Sequence, residues 1–280
     1  MSNNQISAKT LFHFTKKFDN LLGILENGLL PSYCFESALM PIKVSSGIKR
    51  IIDYDLYFGI KPIGIPMVSF CDIRLSQISE HSEKFGSYGI GFKKDFSQAR
   101  NRNENNWALN PVLYFENMNS KVGNILPFLL SHSNFVYNAD KTNNPHLSGL
   151  FKNLRILLDY IKLYEGKIWL KDSKSFSNEI FIFYNEREWR YIPDLHDLGN
   201  DLPYRLNESY AYDEEKYKIV NQKLQNSFKL KIDFEMINYL IINKSSEHEI
   251  LADYLFKKYG EKSKILLSKI ISMEQIENDF

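Results

Sequence analysis

Glu179-Ile180-Phe181-Ile182-Phe183-Tyr184 runs without a break into Asn185-Glu186-Arg187-Glu188-Trp189-Arg190-Tyr191. After Glu179 the next five residues are β-branched or aromatic, which predicts a strand. The charged run that follows then sits at a strand end, with Glu186 and Glu188 two residues apart. In an extended chain residues two apart share a face, so both carboxylates are expected to look into one cleft, with Trp189 and Tyr191 turned the other way.

Working outward, Thr10-Leu11-Phe12-His13-Phe14-Thr15 reads as an early strand carrying one imidazole. A helix is expected from Asp19 to about Asn27, ended by Gly28. Gly64 to Phe70 reads as a buried strand followed by a polar helical turn reaching His81, whereas Glu36 to Lys61 is ambiguous. Phe85 to Phe92 holds Gly86, Gly89 and Gly91, so the backbone can bend there or approach a ligand closely. After the polar loop Asn101 to Asn106 comes a strand at Pro111 to Phe115. Helices are expected at Val122 to Ser131 and Leu147 to Tyr164, flanking the polar stretch Asn138 to Asn144. The last third predicts helices at Glu214 to Gln225 and Glu247 to Tyr259, with strands at Lys229 to Ile232, Ile237 to Ile242 and Ile265 to Ile270. Strands and helices do not alternate strictly, which favours an α+β fold with a mixed sheet over a doubly wound one. No repeat or low-complexity linker divides the chain, so residues 1–280 are expected to form one domain with a helical insertion at about 118–176.

Bulk composition narrows the function classes. With 35 basic and 34 acidic side chains the formal net charge is +1, so no global field draws the protein to nucleic acid or an anionic membrane. Cys34 and Cys71 are the only cysteines, too few for a disulfide framework and without zinc-site spacing. No apolar run approaches the ~18 residues of a membrane span, and the first residues lack a signal-peptide pattern. A cytoplasmic protein with no metal is expected. Walker A, Rossmann and nucleophile-elbow patterns are missing from the sequence.

His13 on an early strand, Tyr88 among glycines and the Glu186-x-Glu188 pair form one ordered set. A carboxylate beside a ribose stabilises the oxocarbenium-like state that forms when nicotinamide leaves NAD. A tyrosine ring can stack on nicotinamide, and a histidine can hydrogen-bond a ribose hydroxyl. Each residue also has a plain structural reading: His13 as a core histidine, Tyr88 as turn packing, and the glutamates as a solvated strand end. Arg74 and His81 approximate a ribonuclease-like Arg-then-His spacing, the weaker alternative because the pair follows a strand. His132, His146, His196 and His248 lack metal-ligand spacing.

The ordered set resembles the His-Tyr-Glu and x-Glu-x-Glu signatures of the ADP-ribosyltransferase fold. More closely, the chain resembles the AbiGi family of abortive-infection proteins. The stretches that carry this are Leu11 to Thr15, Gly28 to Ser32, Met67 to Ile73 with His81 after it, Tyr88 to Gly91, Asn110 to Tyr114 and Arg187 to Tyr191. Arg74 and Phe85 depart from the family pattern, where Pro and Tyr are expected. The resemblances imply an ADP-ribosyltransferase-like split mixed sheet, with Glu188 and Glu186 as catalytic residues. His13, Thr15, Ser69, His81 and Tyr88 would contact NAD, which would be consumed as a substrate. They imply either an NAD-dependent effector of phage defence or a non-catalytic antitoxin that binds a partner toxin.

Overall fold

A computed structural model of the chain describes residues 8–41, 58–94, 108–116, 145–195 and 202–279. The strands are β1 (Thr10–Thr15), β2 (Ser32–Pro41), β3 (Phe58–Cys71), β4 (Tyr88–Lys93), β5 (Asn110–Pro111), β6 (Leu113–Phe115) and β7 (Ile161–Leu163), followed by the two-residue strands β8 (Glu165–Gly166), β9 (Trp169–Leu170), β10 (Ser175–Phe176) and β11 (Phe181–Ile182), and by β12 (Glu188–Tyr191), β13 (Ile237–Ile242) and β14 (Ile270–Ser272). The helices are α1 (Phe18–Asn27), α2 (Ile78–Phe85), α3 (Pro145–Asp159), α4 (Glu208–Tyr212), α5 (Glu214–Ser227), α6 (His248–Tyr259), α7 (Lys264–Leu267) and α8 (Met273–Asp279).

The main sheet runs β14-β13-β4-β1-β3-β12-β5, with β2 paired to β3 as well. It is mixed: β13 and β14 are parallel, and the other pairs are antiparallel. The expected α+β class with a mixed sheet is therefore present.

Strand alternation builds both layers. Leu11, Phe70, Ile90, Phe92, Leu240 and Ile242 point to one face and pack with Leu21 and Leu25 of α1 and Leu251 and Leu255 of α6. Phe12, Cys71 and Ile241 point to the other face, against Ile78 of α2 and Met273 and Ile276 of α8. Helix α1 buries Leu21 and Leu25, four residues apart, and stops at Gly28 with φ 82°. A side chain at Gly28 would collide with the Leu230 carbonyl, so the tight stop needs glycine. Asp19 lies in the first turn of α1, but the N-cap is Lys17, which makes no side-chain capping bond.

Several expectations need correction. The ambiguous stretch after Glu36 contributes to a long antiparallel ribbon in which β2 pairs with β3 from Ser32 opposite Met67 to Pro41 opposite Phe58. Pro62 and Pro66 are tolerated because, among the described residues, that part of β3 pairs with another strand on one side only, its other side making just a bridge from Gly64 to Leu206. The expected strand Glu179 to Tyr184 shrinks to Phe181–Ile182, and Phe183–Glu186 winds into a 3-10 turn. The expected helix Leu147 to Tyr164 ends at Asp159 and gives way to β7. Lys229 to Ile232 supplies one bridge, Leu230 to Leu29, and not a strand. Ile265 falls in α7, and the last strand begins at Ile270. The Asn101 to Asn106 loop, the Val122 to Ser131 helix and the Asn138 to Asn144 stretch lie outside the described residues. Within the described part of the expected helical insertion, α3 is followed by short strands.

Candidate functional site

β1 and β3 meet at one register, Phe12 opposite Cys71, while β1 otherwise follows β4 along its whole length. Beside that junction lies a cavity of about 420 Å³. Its walls come from Phe12–Phe14 of β1, Met67–Cys71 of β3, β2, α2, and the segment from Lys162 to Glu188.

Glu36, Lys162, Glu186 and Glu188 form a charged floor of the cavity, and Arg190 is buried behind it. Arg190, 0% exposed, donates from Nε to Glu188 Oε1 at 2.8 Å, from Nη2 to Glu188 Oε2 at 2.9 Å, and from Nη1 to the Asp159 carbonyl at 2.7 Å. Nη2 also donates to Glu36. Lys162 Nζ lies 2.7 Å from Glu186, 3.0 Å from Glu188 and 3.4 Å from Glu36. Three carboxylates thus share two cations, in surroundings where an unpaired charge is very costly.

These contacts decide how the groups ionise. Burial alone would raise the Glu188 carboxyl, but Arg190 and then Lys162 overcome it and hold it well below the usual carboxylate range. Glu186 goes the other way: burial raises it, Lys162 opposes, and the charge of Glu188 adds to the rise. Burial would likewise lower Lys162, yet Glu186, Glu188 and Glu36 hold it well above its ordinary value.

The two glutamates do converge, but not by strand alternation. Glu186 ends the 3-10 turn, Arg187 adopts the left-handed conformation at φ 42° and ψ 51°, and Glu188 opens β12. That reversal turns both carboxylates onto Lys162. The Tyr114 hydroxyl accepts from the Glu188 backbone N–H at 2.9 Å and fixes the start of β12.

His13 and Glu188 belong to opposite faces by alternation, His13 pairing with Ile90 and Glu188 with Cys71. Both nevertheless line the cavity beside the β1–β3 junction. His13 Nδ1 is 2.8 Å from the Ser69 carbonyl, an acceptor only, so Nδ1 carries the hydrogen and Nε2 is an acceptor in the neutral ring. Burial lowers the His13 pKa, and the Ser69 bond works against it. His81 stacks on Phe85 at 4.4 Å and packs against Phe14 at 5.3 Å. Burial and then Lys84 push His81 down to about 4.

Ser69 also lines the cavity, whereas Tyr88 and Thr15 are not among the lining residues. Tyr88 packs edge-on against Phe18 and donates its hydroxyl to Glu247 at 2.7 Å, and its pKa is pushed up to about 12, first by burial and then by Glu247. Thr15 pairs with Tyr88 across β1 and β4, and its hydroxyl accepts from Asn20. The structure thus brings together His13, Ser69, His81, Glu186 and Glu188 and leaves Tyr88 and Thr15 apart. Arg74, the partner of His81 in the ribonuclease-like alternative, is not a lining residue either.

Sequence reasoning missed Glu36, Lys162 and Arg190 as members of the site. Arg190 had a usable signal, since it lies two residues after Glu188 on one strand and must share its face. No His, Cys, Asp and Glu cluster suited to a metal ion occurs among the described residues. Nor is any helix among them long and apolar enough to cross a membrane.

Comparisons with known proteins add the family. No solved structure matches the chain. The chain is 28% identical over 236 residues to "Abortive phage resistance protein AbiGi" from Lactococcus lactis subsp. cremoris, an alignment covering 77% of this chain and 89% of that protein. A family model described as "Putative abortive phage resistance protein AbiGi, antitoxin" matches residues 29–243, which takes in every residue of the charged floor but not β1 with His13. The chain belongs to the AbiGi family.

Proposed function

We propose that this chain acts in abortive infection as a non-catalytic antitoxin that neutralises a partner toxin by binding it. One observation carries the choice over catalysis: both oxygens of Glu188 are engaged by Arg190 and Lys162. A carboxylate serving an oxocarbenium-like transition state must present its charge to the substrate, and here both oxygens are already turned to protein cations. The description of the family as an antitoxin agrees with this reading. Expression of the chain alone should leave growth unaffected, and co-expression should rescue cells from the co-encoded toxin with a stable complex recovered on purification. Growth arrest by the chain alone would overturn the proposal.

The second reading is an NAD-dependent ADP-ribosyltransferase-like effector acting in the cytoplasm, with Glu188 and Glu186 catalytic. The observation in its favour is the shared cavity lined by His13, Ser69, His81 and both glutamates. The position of Tyr88 weighs against it. Calorimetric titration with NAD and an assay for nicotinamide release in host and phage extracts test it, and a null result in both removes it.

A further inference from the structure

The side chains around the cavity carry more anions than cations. Glu36, Glu186 and Glu188 share Lys162 and Arg190, and Lys162 is the one cation among the described lining residues. Both cations meet Glu36 through Oε1, and Lys162 meets Glu186 through Oε2. No hydrogen bond reaches Glu36 Oε2 or Glu186 Oε1, and neither is among the buried unpaired atoms, so both oxygens are open to approach. His13 Nε2 is a third open acceptor, because Nδ1 carries the hydrogen.

Donors of fixed polarity are closed by comparison. Lys162 is enclosed by its three carboxylates, Arg190 is completely buried, and the Trp169 indole N–H is buried as well. The hydroxyls of Ser32 and Ser69 and the neutral His81 ring serve in either sense and select nothing. The walls suit a cation with an apolar stem. Phe183 already lies under one, with Lys162 Nζ 4.8 Å from its ring centre, and Phe14 and Phe85 add further aromatic surface. Burial and then, against the pull of Lys162, the charge of Glu188 raise the Glu186 carboxyl, so a positive partner is favoured there.

We infer that the cavity binds a small organic cation, a primary ammonium or guanidinium on an apolar stem, whose N–H donors meet the free oxygens of Glu36 and Glu186. One added positive charge brings the cluster to three anions and three cations. An anionic ligand meets no open donor of fixed polarity among these side chains, and a purely apolar one would cover two carboxylate oxygens without replacing their water. A cavity of about 420 Å³ has room for such a group and its stem. The inference rests on neither functional reading: it needs no toxin partner and no chemical step. The cation is either a free amine or guanidine, or the end of a lysine or arginine side chain on a protein.

Calorimetry on the full chain with n-butylammonium, n-butylguanidinium, n-butylurea and n-butyltrimethylammonium tests it. At least one of the two N–H cations should bind. Butylurea is flat but neutral, and butyltrimethylammonium is charged but has no N–H donor; each should bind about 10-fold or more weaker than the better N–H cation. Blocked lysine and arginine amides separate the sources. Binding as tight as that of the free cation identifies a protein side chain, and weaker binding identifies a small molecule. Glu186→Gln should lose about 10-fold or more in affinity for the N–H cation and leave butylurea nearly unchanged. The variant must show wild-type far-UV circular dichroism to count, and if it does not, the ligand series on the wild type decides. No measurable binding of either N–H cation, butylurea binding as tightly as butylguanidinium, or undiminished affinity in folded Glu186→Gln overturns the inference.

Discussion

Arg190 closes on Glu188 through two parallel contacts, Nε to Oε1 at 2.8 Å and Nη2 to Oε2 at 2.9 Å, although the residues are only two apart on one strand. The guanidinium is completely buried and holds Glu36 and the Asp159 carbonyl with its remaining donors. It therefore joins β12 to β2 and to the end of α3. Removing it leaves Glu36, Glu186 and Glu188 against Lys162 alone. Removing the Glu188 charge instead leaves two anions and two cations. Arg190→Met should therefore destabilise by about 3–5 kcal/mol and Glu188→Gln by clearly less. Urea denaturation of both variants checks the order, and equal losses would contradict the shared-charge account.

Glycines give a matched pair of opposite sign. Gly23 lies inside α1 with nothing within 4 Å of a side chain placed there, so Gly23→Ala should stabilise by about 0.5–1 kcal/mol through helix propensity. Gly86 has φ 111°, and a Cβ there would strike the backbone of Thr15 and Lys16. Gly86→Ala should cost more than about 1 kcal/mol, because both conformation and space forbid it. Thermal unfolding of the two variants should shift in opposite directions.

His81 sets a pH dependence. Its pKa falls from 6.5 to about 4 on folding, so between those values the unfolded chain binds more protons than the folded one. Stability from this group is fully present above pH 6.5 and is lost as the pH falls towards 4, by at most about 3 kcal/mol. Glu186 acts with the opposite sign, since a carboxyl raised above 4.5 favours the folded state less as pH rises past that value. A His81→Phe variant should flatten the acid limb between pH 4 and 6.5 in urea denaturation, and an unchanged slope would remove His81 as its cause.

The sheet was legible in sequence where local preference and tertiary context agreed. Thr10 to Thr15 and Ile237 to Ile242 are strands with the expected bounds because their β-branched and aromatic residues also have a strand partner, β4, along most of their length. Glu179 to Tyr184 has the same composition but becomes largely turn, since the left-handed Arg187 must bring Glu186 and Glu188 to Lys162. Lys162 was hidden because the helical pattern of α3 continues past Asp159, and only contact with Glu36 and β12 gives that lysine a role. Glu36 lay in a stretch without a clear period. Its partners are 126 or more residues away, a separation that no local window reports.

Tyr88 separates a scaffold role from a ligand-binding one. Its hydroxyl donates to Glu247 Oε1, while Glu247 Oε2 accepts from the backbone N–H groups of Asn243 and Lys244, so one carboxylate ties β4 to the turn that leads into α6. Tyr88→Phe keeps the ring against Phe18 and removes only the bond to a charged acceptor, which at this half-buried position should cost about 1 kcal/mol. Phage protection should survive that change, because Glu247 keeps its backbone donors and the cavity walls are untouched. The measurement is plating efficiency alongside thermal unfolding of the purified variant. Loss of protection with a stability change below about 1 kcal/mol would instead place the Tyr88 hydroxyl in a binding site and restore the trio with His13 and Glu188.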